Sequence, residues 1–208
     1  MMNIIPCFST PICIDTIEYN FNQQYLDSLE YFEYDNQTGF MSVNQNILLE
    51  SEFDSLREKI ERKINIFLFD FLKFSQGNIK HCLSWINLHK EGNFAPVHCH
   101  SNSFYSGVFY LKYPPDSGKL LFNHPLQFPT YSGITLDPQI SEYNIYNSKT
   151  WSVEPKDNML VFFPSHLNHS TEINNSPYNR YSIAFNYFLE GEIGKTTGKV
   201  CLSSKLKS

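Results

Sequence analysis

The chain has 208 residues, 41% hydrophobic and 18% charged, which is near the size of one globular domain and enough to bury a core without disulfides or a structural metal. Sixteen basic against 21 acidic residues leave a net charge of −5, which argues against a partner held by phosphate neutralisation, so no nucleic acid is expected. Five cysteines (Cys7, Cys13, Cys82, Cys99, Cys201), an odd number without a CxxC pair, disfavour a disulfide framework or a four-cysteine zinc site and suit a reducing, cytoplasmic setting. No apolar run approaches the ~18 residues that span a bilayer. The start, Met1 to Pro6, lacks the basic stretch of a signal peptide, so a soluble protein without a membrane partner is expected.

The 18 Phe and 13 Tyr favour strands. In chain order, residues 4–17 read as short strands broken by Pro6 and Pro11. Residues 20–34 carry Phe21, Tyr25, Leu29 and Phe32 at helical spacing, which predicts an amphipathic helix. The strongest helix is 52–74, where Phe53, Leu56, Ile60, Ile64, Phe67, Leu68, Phe71 and Leu72 recur at three- and four-residue steps and stop near Gly77. From residue 81 the runs become short and β-rich, at 81–89, 105–113, 118–123, 159–163 and 180–188, separated by Gly, Pro, Asn and Ser. Strands without intervening helices predict an antiparallel sandwich or jelly roll. The polar stretch 124–158, with Pro125, Pro129, Gly133, Pro138 and Pro155, reads as a long excursion holding one strand at 150–153. The predicted organisation is a single domain, 1–208: N-terminal strands and helices (1–80), a jelly-roll core (81–188) and a loose tail (189–208).

Seven histidines are present, two of them as His98-Cys99-His100. In extended chain, residues i and i+2 face the same way, so both imidazoles can converge on one divalent ion, with iron(II), manganese and zinc all suited to them. Cys99 then points away. His169, after the apolar run Met159–Phe163 and the Pro164-Ser165 turn, is the best third ligand, and His166 is its competitor. Arg180 opens a segment with Arg180, Ser182, Ala184 and Asn186 on one face and Tyr181, Ile183, Phe185 and Tyr187 on the other. The plain reading is a polar face in water. The sharper one is a polar face lining a cavity, where a guanidinium fork beside a hydroxyl captures a carboxylate. A metal with a carboxylate clamp nearby is what a chelating 2-oxo acid requires.

Taken together, Ser84-Trp85-Ile86-Asn87, Gly92 through His98-Cys99-His100, Ser106-Gly107-Val108-Phe109-Tyr110, Phe163-Pro164-Ser165 with His169, and Arg180-Tyr181-Ser182-Ile183 with Phe185-Asn186 resemble the Fe(II)/2-oxoglutarate-dependent oxygenases of bacterial and phage type, over about residues 81–188. The resemblance implies a mainly β fold, a double-stranded β-helix (jelly roll) with supporting N-terminal α-helices, and a dioxygenase using Fe(II) with 2-oxoglutarate as co-substrate. It implies oxidation, in the simplest case hydroxylation, of a small-molecule or peptide substrate with release of succinate and CO2. By position, His98 and His169 match the two histidine ligands, and Arg180 with Ser182 matches the clamp for the far carboxylate. His100 stands where the wider superfamily has a carboxylate, so the site is either tri-histidine or completed by an acid such as Glu91 or Asp157. Asn87 and Tyr110 are candidates to hydrogen-bond the co-substrate, and Trp85 reads as core. His81, His89 and His124 read as surface or hydrogen-bonded side chains. Two alternatives share the fold: a cupin-like metalloenzyme that does not use 2-oxoglutarate, and a non-catalytic binding module. Gly92 with His98-x-His100 suits the cupin, but Phe104 and Tyr105 stand where a cupin carries glutamate.

Overall fold

The computed structural model describes residues 2–7, 9–34, 38–124 and 138–203. In chain order its N-terminal elements are β1 (Cys13–Thr16), α1 (Gln23–Ser28), β2 (Tyr31–Tyr34), β3 (Gly39–Ser42) and α2 (Asp54–Asn65). Then follow β4 (Asn78–His89), β5 (Tyr105–Lys112), β6 (Leu120–Asn123), β7 (Thr150–Val153), β8 (Met159–Pro164), β9 (His169–Thr171), β10 (Arg180–Ile193) and β11 (Val200–Leu202). The strands form two antiparallel sheets. The larger runs β1-β8-β5-β10-β4-β3-β2, with β11 on the far end of β10, and the smaller places β6 between β7 and β9.

Strand β10 organises the molecule. It pairs with β4 on one side and β5 on the other, so its backbone groups are satisfied inside the sheet. One face presents Ile183, Phe185 and Tyr187 to Leu56, Ile60 and Ile64 of α2, all in one buried cluster. Helix α2 reaches that cluster because its apolar residues recur every four positions, which stacks them on one face. Asp54 in its first turn and Arg62 and Lys63 in its last complement the helix dipole. The opposite face of the larger sheet contributes Tyr110, Val161 and Phe163, which pack with Leu120, Phe122, Val153 and Leu167. That second cluster joins the two sheets. Arg180, Ser182, Ala184 and Asn186 therefore point between sheets and are all buried, so the solvated reading of this face fails.

Several sequence expectations hold. Strands occupy 81–89, 105–112, 120–123, 150–153, 159–163 and 180–188, within a few residues of the predicted bounds. The strong helix starts at Asp54 and continues beyond Asn65 as a wider π turn, Ile66–Phe71, before Gly77 at φ +86°.

Others need correction. The helix expected over 20–34 is only α1, capped by Asn22, whose Oδ1 accepts from the Gln24 and Tyr25 amides. Its second half becomes β2, because Tyr31-Phe32-Glu33-Tyr34 pairs with β3 and extends the sheet from β4. Pairing with a preformed sheet edge outweighs a helical spacing of three or four residues. Of the strands expected in 4–17, the structure keeps β1, paired with β8. The expected tail is partly ordered: β10 runs on to Ile193, and Gly191–Ile193 pair with β11. Within the excursion, Pro125, Pro129 and Gly133 lie outside the described residues, as do the last five positions of the tail.

Candidate metal centre

His98 and His169 meet as a reciprocal backbone pair, each amide donating to the other's carbonyl at 2.9 Å. Such a pair sets two side chains side by side on one face, and the imidazole centroids lie 4.3 Å apart. The amide of His100 donates to the Ser165 carbonyl at 3.0 Å, which brings its ring 5.1 Å from His169 and 5.2 Å from His98. The candidate ligand atoms of the three histidines lie within 4.8 Å of one another. His166 and Cys99 are exposed and stand apart from them. Register thus decides between the two histidines of the later loop: His169 opens β9 opposite His98, and His166 does not.

The ring protons are also placed. Nδ1–H of His98 donates to the Pro96 carbonyl (2.8 Å), and Nδ1–H of His169 donates to the Leu167 carbonyl (2.9 Å). Each leaves Nε2 as the bare nitrogen, the arrangement metal-binding histidines adopt. His100 Nε2 lies 3.3 Å from His169 Nε2, so without a metal it donates there. Burial, aided by His98, lowers the pKa of His169 to about 3 and of His100 to about 4. Both rings are neutral at physiological pH and offer lone pairs. Among the described residues this is the one group of three or more His, Cys, Asp or Glu able to hold a metal ion. The alternative carboxylates are elsewhere: Glu91 is exposed, and Asp157 Oδ1 accepts from the Tyr113 amide at 2.6 Å. An all-imidazole donor set fits iron, zinc or copper better than magnesium or calcium.

The triad lines a cavity of about 320 Å³ between the sheets, and Arg180 lines the same cavity. Arg180 is 2% exposed and lies opposite His89 in the β10–β4 register. Its Nη1 donates to the carbonyls of Ser117 and Gly118 (3.1 Å to the latter), and its Nη2 donates to His89 Nδ1 and to Thr171 Oγ1 (3.2 Å). The fork is thereby turned toward the protein, leaving Nε–H and the positive charge. None of the ion pairs among the described residues involves Arg180. A buried cation without an acidic partner is costly unless an anion joins it.

Beside it, Ser182 faces Asn87 on one neighbouring strand and Tyr110 on the other. Ser182 and Tyr110 are buried against the cavity, and neither hydroxyl bonds to a described protein group. Burial raises the pKa of Tyr110, so its phenol remains a donor. Asn87 Oδ1 accepts the indole N–H of Trp85 (2.9 Å), leaving its amide NH2 available. Trp85 is wall as well as core, with its ring 5.9 Å from that of His100.

The sequence reading missed His89, Thr171 and Tyr34, which complete the Arg180 end. The only sequence signal for His89 is its phase with Trp85 and Asn87 on one face of β4. It also missed a buried polar knot at the other end. There the Ser106 hydroxyl donates to Asn186 Oδ1 (2.7 Å) and lies 2.8 Å from Ser165 Oγ, steadying the turn whose carbonyl holds His100.

Residues 83–186, half of the chain, match the family described as "Putative 2OG-Fe(II) oxygenase". The chain belongs to this family. It is an oxidoreductase whose cofactor is Fe(II) and whose co-substrate is 2-oxoglutarate. No curated protein matches it in sequence. Solved structures agree on the fold. A Pseudomonas putida prolyl-4-hydroxylase is 15% identical, with a TM-score of 0.57 over 88% of this chain and 95% of its own. A Trichoplax adhaerens prolyl hydroxylase, solved with a hypoxia inducible factor peptide fragment, is 13% identical, with a TM-score of 0.56 over 85% and 83%. HygX from Streptomyces hygroscopicus, with nickel and 2-oxoglutarate bound, is 11% identical, with a TM-score of 0.56 over 86% and 82%. The double-stranded β-helix expected for this 2OG-Fe(II) oxygenase is therefore the fold it has. The family match favours the oxygenase over the cupin-like and non-catalytic readings. No helix among the described residues is long and apolar enough to cross a membrane.

Proposed function

We propose that His98, His100 and His169 hold the iron through Nε2, and that Arg180, with the hydroxyls of Ser182 and Tyr110, receives the far carboxylate of 2-oxoglutarate. The observation that carries this reading is one cavity lined both by three converging imidazoles and by a buried guanidinium without a carboxylate partner among the described residues. Iron(II), when bound, would supply the redox chemistry by which molecular oxygen oxidatively decarboxylates 2-oxoglutarate to succinate and CO2 and hydroxylates a second substrate, one oxygen atom going to each product. The protein's part is positional. The Pro96 and Leu167 carbonyls fix two ring orientations. Three neutral imidazoles leave the full +2 of the metal, which the co-substrate dianion offsets. Arg180 adds a further positive charge at a buried position, where charge pairing is stronger than in water.

Asn87, through its free amide NH2, is the further hydrogen-bond donor to the co-substrate. Among the described residues, Arg180 is the one formally charged side chain in the cavity wall, beside Tyr34, Met41, Trp85 and Pro96. We take the part of the second substrate that enters to be uncharged, carried by a small molecule or peptide; the net charge of −5 supports a partner other than nucleic acid. The N-terminal strands β1, β2 and β3 belong to the same sheet as β4, β5, β8 and β10, which supports one domain over 1–208.

The test is succinate formation from 2-oxoglutarate by anaerobically Fe(II)-loaded protein on exposure to air. Binding of 2-oxoglutarate to the Mn(II)-loaded protein provides a readout independent of turnover. Wild type binds and turns over, and His98→Ala does neither. Equal binding by wild type and Arg180→Ala would refute the anchor.

A further inference from the structure

We propose that His89 is a positioning residue: a neutral acceptor that aims Arg180 while leaving its charge for an incoming carboxylate. This inference rests on the reading of Arg180 as the co-substrate anchor.

The proton assignment follows from valence. A guanidinium only donates, so His89 Nδ1, which takes the Arg180 Nη2–H, carries no proton. The ring proton is then on Nε2, which donates to Tyr34 Oη at 2.9 Å. Both ring nitrogens are used and the side chain is 2% exposed, so the ring has no freedom to turn. The backbone is held as well: His89 lies opposite Arg180 across the β4–β10 pair, and Asn174 Nδ2 donates to its carbonyl at 2.9 Å. Room for the ring comes from Gly39. A Cβ there would stand 2.7 Å from His89 Cδ2 and 2.8 Å from Tyr34 Oη, too close for any other residue without movement.

Every acceptor around the Arg180 fork has the same electrical character. Two are backbone carbonyls, one is a threonine hydroxyl and one is an imidazole. Aspartate or glutamate, the ordinary partner of a buried arginine, is missing from this set. A carboxylate would orient the fork equally well but would neutralise it and compete with the ligand. A neutral acceptor orients without neutralising. Burial, reinforced by the Arg180 charge, holds His89 well below the usual histidine pKa, which keeps it in that form.

The experiment titrates 2-oxoglutarate into Mn(II)-loaded full-length protein by calorimetry, for wild type, Arg180→Ala, His89→Leu, His89→Asn and His89→Asp, with Mn(II) affinity measured in each. Mn(II) affinity is expected to stay constant across the set. His89→Leu weakens 2-oxoglutarate about tenfold, the worth of one lost bond to a charged group. His89→Asn, whose Oδ1 takes the place of Nδ1, stays within about threefold of wild type. His89→Asp has the same shape with a negative charge, and is expected to bind at least about tenfold worse than His89→Asn. Equal affinity in the Asn and Asp variants, or wild-type affinity in His89→Leu, overturns the role of His89 alone. No binding by wild type overturns the anchor reading itself. Should the leucine variant fail to fold, the near-isosteric Asn–Asp pair decides the matter.

Discussion

The two faces of β10 are built from alternate residues of one strand and do opposite work. Tyr181, Ile183, Phe185 and Tyr187 belong to the buried cluster shared with α2. Arg180, Ser182, Ala184 and Asn186 are as deeply buried, yet three of them are polar and face the space between the sheets. On the helix side the contacts are mainly apolar, with one hydrogen bond from Tyr187 Oη to Glu61 Oε1 (3.2 Å), and burial lowers the free energy of the folded state by about 25 cal/mol per Å² removed from water. On the cavity side burial costs free energy. That cost is met partly by carbonyls and hydroxyls and leaves a charge unpaired. On the proposed reading, stability is drawn from one face and ligand affinity from the other, so substitutions on the two faces should separate folding from binding.

The largest effect expected is at the metal. His169→Ala removes a candidate ligand, and Mn(II) or Fe(II) affinity should fall far more than the roughly 10–100-fold that loss of an outer partner costs. Equilibrium dialysis with metal analysis checks it. Next is Phe185→Ala, on the helix-side face, which should lower unfolding free energy by about 3–5 kcal/mol in a denaturant titration. Metal stoichiometry of the folded fraction should not change. Its cavity-side counterpart, Arg180→Ala, should weaken 2-oxoglutarate binding by about 2–5 kcal/mol while leaving metal affinity in place. Smallest is Ser182→Ala, at about 0.5–1.5 kcal/mol of co-substrate affinity for one hydroxyl. If Phe185→Ala abolished co-substrate binding in folded protein, or Arg180→Ala merely destabilised the fold, the division of labour between the faces would be wrong.

Much of this division is legible in the amino-acid order. The alternation along Arg180–Tyr187 marks two faces, the spacing His98-x-His100 marks two like-facing imidazoles, and the four-residue recurrence of Leu56, Ile60 and Ile64 marks the covering helix. What is not legible depends on partners distant in sequence. Whether His169 or His166 joins the triad is decided by the reciprocal pairing of His98 with His169 across 71 positions of chain. The groups that hold the fork of Arg180 cannot be seen either, because its acceptors come from the turn at 117–118, from β9 and from β4. The helical reading of 20–34 fails for a similar reason. Tyr31 to Tyr34 satisfy either period locally, and the β3 edge decides between them.

The most direct test of the central claim is X-ray absorption at the iron edge of the Fe(II)-loaded protein, wild type against His100→Ala. The account predicts three imidazoles in the wild type and two in the variant. The same imidazole count in both, or a carboxylate oxygen in the place assigned to His100, would contradict it.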